Sequence, residues 1–68
     1  MEIIDVSSEQ MTVRLTRDEA VIINNALNEL CNGFNLSDDE LRTRSGYTRE
    51  EIRSVLGMIN DAIPPPAI

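Results

Sequence analysis

Two helix starts follow one another closely in Ser37-Asp-Asp-Glu-Leu-Arg-Thr-Arg-Ser-Gly-Tyr-Thr-Arg-Glu-Glu51. Both Ser37-Asp-Asp-Glu40 and Thr48-Arg-Glu-Glu51 are capping boxes, in which the hydroxyl accepts from the backbone N–H three residues on and the Glu reaches back to the N–H of the cap. A third box, Thr16-Arg-Asp-Glu19, stands earlier in the chain. Each box precedes an apolar pattern of helical period, so the sequence predicts three helices.

The first helix is predicted over Arg17 to Asn32, closed by Gly33 as a C-terminal glycine. The second covers Asp38 to about Ser45. The third starts after Thr48 and ends before Pro64, because proline disfavours helical geometry in the residue that precedes it. At about 100° per residue, the apolar positions of these helices share one face each and are expected to form the core: Ala20, Ile23, Ala26, Leu27, Leu30, Cys31, Leu41, Ile52, Val55, Leu56, Ile59 and Ile63, with Phe34 extending the seam.

The N-terminal segments 2–6 and 11–15 are predicted to be extended. In the second, apolar Met11, Val13 and Leu15 alternate with polar residues, the period of a half-buried strand, and the residues between the segments can close a hairpin. The predicted fold class is therefore α+β: a short N-terminal strand or hairpin packed on three helices, the last two in a helix-turn-helix arrangement. Residues 1–63 form a single domain and 64–68 a proline-rich tail.

Composition restricts the possible functions. The chain has 68 residues, twelve acidic against six basic, and a net charge of −6 with no His. Such an acid excess favours a basic protein surface as partner, although solubility alone also accounts for it. Without His, a Gly-rich phosphate loop or calcium-site spacing, we expect no enzyme, no metal and no cofactor. Cys31 is predicted to be a reduced core thiol, and the absence of a leader or membrane-spanning run indicates a cytoplasmic protein.

The window from Ser37 to Ile59 resembles a helix-turn-helix motif, with Leu41 in the core and Gly46 at the turn. This resemblance implies that the third helix faces a DNA groove and that nearby Arg residues contact phosphates. The residues concerned are Arg42, Arg44, Thr48, Arg49, Arg53 and Ser54. The acidic residues at 50 and 51 and the net charge of −6 oppose DNA binding, and the same geometry also serves as plain scaffold.

An amide-rich flank marks the first helix. Asn24, Asn25, Asn28 and Asn32 lie beside its apolar stripe. Amides donate and accept hydrogen bonds without the burial of charge, so they suit contact with a partner, or else a local polar network. The surrounding segment, residues 24–33, looks like one found in short bacterial proteins of unassigned role, which implies a bacterial origin.

Two smaller features complete the candidate sites. The second helix begins with three acidic residues, Asp38, Asp39 and Glu40. Their negative charges stabilise the positive end of the helix dipole, or else they form an acidic patch for a partner. Gly57 interrupts the third helix on the flank of Arg53. A residue without a side chain lets the backbone of a partner approach there; the alternative is that glycine is simply tolerated at a solvent-exposed helix position.

The function predicted from the sequence is stoichiometric binding. A small acidic chain without a catalytic or metal-binding motif suits an inhibitor of the immunity-protein or antitoxin type, which masks a basic protein such as a toxic nuclease. The expected contact residues are Asn24, Asn25, Asn28, Asp38, Asp39 and Glu40. Two alternatives remain: a homodimeric helix-turn-helix DNA-binding regulator, and an adaptor whose strand completes a partner's sheet. A second copy of the chain is a candidate partner beside the basic protein, DNA is a partner only in the first alternative, and no membrane is expected in any.

Overall fold

A computed structural model describes residues 1–33 and 35–65 of the chain. The expected place of Phe34 in the core seam, and the part of the proline-rich tail from Pro66 on, lie outside the described residues. An antiparallel hairpin precedes three helices and packs on them, which confirms the α+β class. The elements in order are β1 (Glu2–Val6), β2 (Met11–Arg14), α1 (Arg17–Asn28), a π-helical turn (Glu29–Gly33), α2 (Asp38–Ser45) and α3 (Arg49–Ala62).

The hairpin is closed by the Ser7 side chain. Its hydroxyl accepts from the backbone N–H of Gln10 at 3.1 Å, and the Ser7 N–H donates to the Gln10 carbonyl at 2.8 Å. Across the strands Glu2 lies opposite Arg14, whose Nη1 donates to the Glu2 carboxylate at 2.8 Å. The end of the hairpin near Val13 borders the helices, whereas the apolar residues of β1 are exposed to solvent.

Two of the three predicted capping boxes form in full. The Thr16 hydroxyl accepts from the Glu19 N–H at 3.1 Å, and the Glu19 carboxylate accepts from the Thr16 N–H at 2.9 Å. The box of Thr48 and Glu51 has the same two bonds, at 3.2 and 3.4 Å. These side chains satisfy backbone donors that the first turn of a helix leaves free, and so they fix where α1 and α3 begin.

The box at α2 forms only in half. The Ser37 hydroxyl accepts from the Glu40 N–H at 3.1 Å, as predicted. The predicted return bond, from the Ser37 backbone N–H to the Glu40 carboxylate, is wrong. The carboxylate accepts instead from the Ser37 hydroxyl, at 3.4 Å. Ser37 therefore still starts the helix, but with one fewer backbone donor satisfied.

The end of α1 also differs from the prediction. The α-helix stops at Asn28 and a wider π-helical turn carries the chain to Gly33. Gly33 is not the left-handed glycine expected there; among the described residues positive φ occurs at Gly46 alone, at 84°. The Glu29 carboxylate lies where a Cβ atom at position 33 would stand, but it is the end of a flexible side chain that can move aside.

The buried core takes one side chain from each of three elements: Cys31 from the π-helical turn, Leu41 from α2 and Ile52 from α3. Half-buried leucines surround them, at 27, 30 and 36. Cys31 is a free, buried thiol, as predicted. Two expected core residues are on the surface instead: Ala26 is exposed, and Val55 retains 45% of its accessible surface. No helix among the described residues has the length and apolar character needed to cross a lipid bilayer.

Candidate functional site

Arg49, the first residue of α3, connects three parts of the fold. Its Nε donates to the Asp38 carboxylate at 2.8 Å, and its Nη2 donates to the Leu36 carbonyl at 2.7 Å. Its Nη1 donates to the carbonyl of Cys31 in the π-helical turn. A guanidinium offers several donors in one plane and can make these bonds together. Arg49 therefore fixes the starts of α2 and α3 against the end of the α1 segment.

Around this contact lies a shallow depression of about 310 Å³, at the N-terminal ends of α2 and α3. We call it the acidic depression. It is lined by Asp38, Asp39, Arg42, Thr48, Arg49 and Glu50. In the described part of the chain neither Asp39 nor Glu50 makes an ion pair. Asp38 also remains 84% exposed although it is paired with Arg49. Three carboxylates are thus accessible at the depression.

A second depression, of about 320 Å³, lies between α1 and α3, and we call it the amide groove. Its lining has four polar side chains, one leucine and one glycine: Asn24, Asn28, Arg53, Leu56, Gly57 and Asn60. A Cβ atom at Gly57 would have no neighbour within 4 Å, so this position is open. The Oδ1 atom of Asn24 is buried without a hydrogen-bond partner among the described residues.

Hydrogen bonds orient one wall of the amide groove. The Asn32 amide donates to Oδ1 of Asn28 at 3.0 Å, and Arg53 donates to Oδ1 of Asn32 at 3.4 Å. The predicted alternative of a local amide network is therefore present between positions 28 and 32. Asn25 does not line the groove and is exposed, because it lies about 100° around the helix from Asn24.

One flank of α3 joins the two depressions. Arg49 lines the acidic depression, and Arg53, one helical turn further on, lines the amide groove. The amides of α1 and the acids of α2, predicted separately from the sequence, thus lie along a single side of α3. We call the two depressions together the polar surface. Glu40 does not line it, since its side chain is engaged with Ser37.

The residues proposed for DNA contact do not share one surface. Thr48 and Arg49 are engaged in the helix cap and the three-way contact described above. Arg44 lines a different depression beside Leu30, and Ser54 lies on the opposite flank of α3. The outward face of α3 also carries the acidic Glu50. The helix-turn-helix assignment stays a prediction.

The opposite flank of α3 is apolar, and the sequence did not predict it. A groove of about 480 Å³ is lined there by Leu27, Tyr47, Glu51, Ile52, Ser54 and Val55. Tyr47, which directly follows Gly46 at the turn, is 61% exposed. Met58, three residues after Val55, is 63% exposed on the same flank. The helical spacing of Val55 and Met58 is the sequence feature from which this apolar flank could have been predicted.

No known protein family, curated protein or solved structure matches this chain. Its function is therefore inferred from the polar surface, the apolar flank and the charge of the chain.

Proposed function

We propose that this chain is a stoichiometric inhibitor of the immunity-protein or antitoxin type, which masks a basic protein such as a toxic nuclease in the bacterial cytoplasm. The observation that supports this proposal is the polar surface, where Asp39 and Glu50 lie on the same side of α3 as the amide groove and make no ion pair with any described residue. The net charge of −6 supports it as well.

The acidic depression suits a cationic side chain. An Arg or Lys of the partner that enters between Asp39 and Glu50 gains two carboxylates that make no ion pair with any described residue. Arg42 lines the same depression, and the three carboxylates there outnumber its two Arg side chains. The excess negative charge of the whole chain adds a long-range attraction that raises the association rate. Arg49 holds Asp38, so this one carboxylate keeps its position before binding, which lowers the entropic cost of association.

The amide groove suits the partner's main chain beside that cation. Amide side chains both donate and accept, and so they match the C=O and N–H groups of an extended segment. Gly57 leaves room for a backbone to approach α3 closely. Asn24 has an unused acceptor at the base of the groove, which a side-chain rotation would offer to a donor.

Inhibition follows from competition for a basic site. A nuclease binds its substrate through cationic side chains that contact phosphates. A rigid protein surface that carries carboxylates occupies the same cations, so one inhibitor excludes one substrate without any chemistry. The alternative of a DNA-reading regulator is supported less, because Arg49 is engaged within the fold and three carboxylates share the depression that Arg42 lines. Arg44 and Arg53 line two other, separate depressions.

The test begins with recovery of the partner from the source bacterium on the immobilised chain, followed by association kinetics at low and physiological salt. Asp39→Lys with Glu50→Lys removes both free carboxylates of the acidic depression. The matched control, Asp5→Lys with Glu9→Lys, changes the net charge equally at exposed positions of the hairpin, which contributes no residue to the lining of the polar surface. We expect the first variant to slow association by about tenfold or more and to flatten its salt dependence, and the control to have a smaller effect.

Equal effects of the two double variants would remove the acidic depression from the interface. Binding of a labelled DNA duplex at low salt, measured by fluorescence anisotropy, would instead favour the regulator. If the recovered partner is a nuclease, its activity should fall to zero at a one-to-one molar ratio with the chain.

A further inference from the structure

The chain exposes more surface than a protein of its mass normally does. Its accessible area is 5545 Å² at 7.6 kDa. Folded monomers of this mass expose about 4300 Å², so the excess is about 1200 Å². The Cα atoms extend over 37 × 37 × 15 Å, which is a flat shape with two broad sides and little interior. An excess of this size is of the order that one chain loses in a stable dimer.

The apolar flank of α3 contributes directly to this excess. We define it by Leu27, Tyr47, Val55 and Met58. The last three expose 61%, 45% and 63% of their surface. Since Val55 follows Arg53 by two residues, about 200° around the helix, the apolar flank faces away from the amide groove. Contiguous exposed side chains of this kind mark an interaction site on a small domain.

Charge decides which occupant fits the apolar flank. The only charged side chain among those that line its groove is Glu51, and its carboxylate accepts from the Thr48 hydroxyl at 3.0 Å. A basic partner gains nothing there that the polar surface does not offer better. A second copy of this chain, itself at −6, is repelled wherever carboxylates meet but can approach through a flank that has almost none.

We propose that two copies of this chain form a two-fold symmetric dimer through the apolar flank of α3. In such an isologous contact the same residues serve both copies, so Met58 and Val55 of one chain pack against the Leu27 and Tyr47 side of the other. A standard interface buries about 800 Å² per chain, so residues that border the apolar flank take part in the contact beside its four defining side chains. The polar surfaces remain outside, and each dimer therefore presents two of them.

The hairpin is another exposed apolar region, and it fits a second copy less well. Ile3, Ile4 and Val6 expose more than half of their surface. Glu2 and Asp5 lie on the same five-residue strand, so a second copy that approached β1 would meet two carboxylates over a short length of chain. The groove of the apolar flank is lined by one carboxylate, that of Glu51, which accepts from the Thr48 hydroxyl.

Sedimentation equilibrium of the full chain across a wide concentration range tests the dimer. The unmodified chain should sediment as a dimer that dissociates on dilution, and Met58→Glu should raise the dimer Kd by about tenfold or more. Asn60→Glu adds the same charge to an exposed position of α3 on the polar side, and it should leave the Kd unchanged. Circular dichroism checks that both variants keep their helices.

A chain that stays monomeric at every concentration would overturn the dimer, as would an Asn60→Glu variant that dissociates as much as Met58→Glu. Neither result bears on the proposed inhibitor function, because Met58→Glu leaves the polar surface intact and should still bind the basic partner.

Discussion

The Nε atom of Arg49 lies 2.8 Å from Oδ1 of Asp38, and the two side chains differ sharply in exposure, at 18% and 84%. One partner is thus held inside the fold while the other remains at the surface. The sequence suggested separate roles for them, the Arg in DNA contact and the Asp in protein contact. Their pairing instead makes Arg49 structural and leaves Asp38 as part of the acidic depression.

Replacement of Arg49 should therefore destabilise the fold. Arg49→Ala removes three hydrogen bonds and leaves the carbonyls of Cys31 and Leu36 without this donor. We expect a loss of about 2 kcal/mol or more in the free energy of unfolding, measured by urea denaturation. Arg49→Lys should recover only part of it, because a single ammonium cannot reproduce the planar fork. Arg42→Ala, at an exposed position, should change stability by less than about 0.5 kcal/mol; an equal loss there would contradict the structural role of Arg49.

The three helix caps should differ in strength. Thr16→Ala and Thr48→Ala each remove a complete capping box, and each should cost about 1 kcal/mol of unfolding free energy. Ser37→Ala should cost less, because the Glu40 carboxylate does not bond to the backbone N–H of Ser37. Thermal unfolding of the three variants under identical conditions gives the order. A Ser37 variant as unstable as the other two would show that the reciprocal bond forms in solution.

Glu19 should make stability depend on acid pH. A hydrogen bond from the N-terminal ammonium of Met1, with further bonds from Thr16, lowers the pKa of Glu19 from its usual 4.5 to about 2. Because the folded pKa is lower than the unfolded one, this contribution is fully present above pH 4.5 and is lost as the pH falls toward 2. Glu19→Gln should reduce the slope of unfolding free energy against pH in that window. Acetylation of the Met1 amine should reduce it similarly, and an unchanged slope in both would contradict the pairing.

The same substitution at two glycines should have opposite effects. Gly46 has φ of 84°, so Gly46→Ala should cost about 1 kcal/mol in strain although no atom lies near the new methyl group. Gly57 lies inside α3 with equal space around it, so Gly57→Ala should add up to about 1 kcal/mol of stability through helix propensity. Chemical denaturation measures both.

Partner binding separates the two readings of Gly57. If the amide groove admits a backbone, Gly57→Ala should weaken binding of the basic partner while it stabilises the fold. A variant that is more stable and binds equally well would show that the glycine is only tolerated on a solvent face.

The order and starts of the elements were predictable because they depend on local chemistry. Each capping residue acts within three positions of itself, and the alternation of Met11 and Val13 is likewise local. The end of α1 was not predictable, because the π-helical turn coincides with a hydrogen bond from Arg49, a residue far along the chain. Helical period placed Val55 on the apolar side of α3 but could not show that no other element covers it.

The candidate site was predictable in part. The amides of α1 and the acids of α2 were identified as residue types suited to a partner, and the position of Gly57 beside Arg53 followed from helical period. That α3 joins both sets along one flank is a tertiary relationship, since it depends on how α1 and α3 pack. For the same reason the engagement of Arg49 within the fold had no signal in the sequence.

The rate at which the single thiol is labelled measures how often the core of the protein opens. Cys31 is 3% exposed and is one of only three buried side chains among the described residues, the others being Leu41 and Ile52. An aromatic disulfide reagent can reach its sulfur only after these side chains separate, so the labelling rate in plain buffer counts spontaneous openings. Because the core is so small, each opening that exposes Cys31 also exposes most of the buried side chains that pack the helices against each other. Any ligand that slows the reaction thereby reports its own binding, even when its identity is unknown.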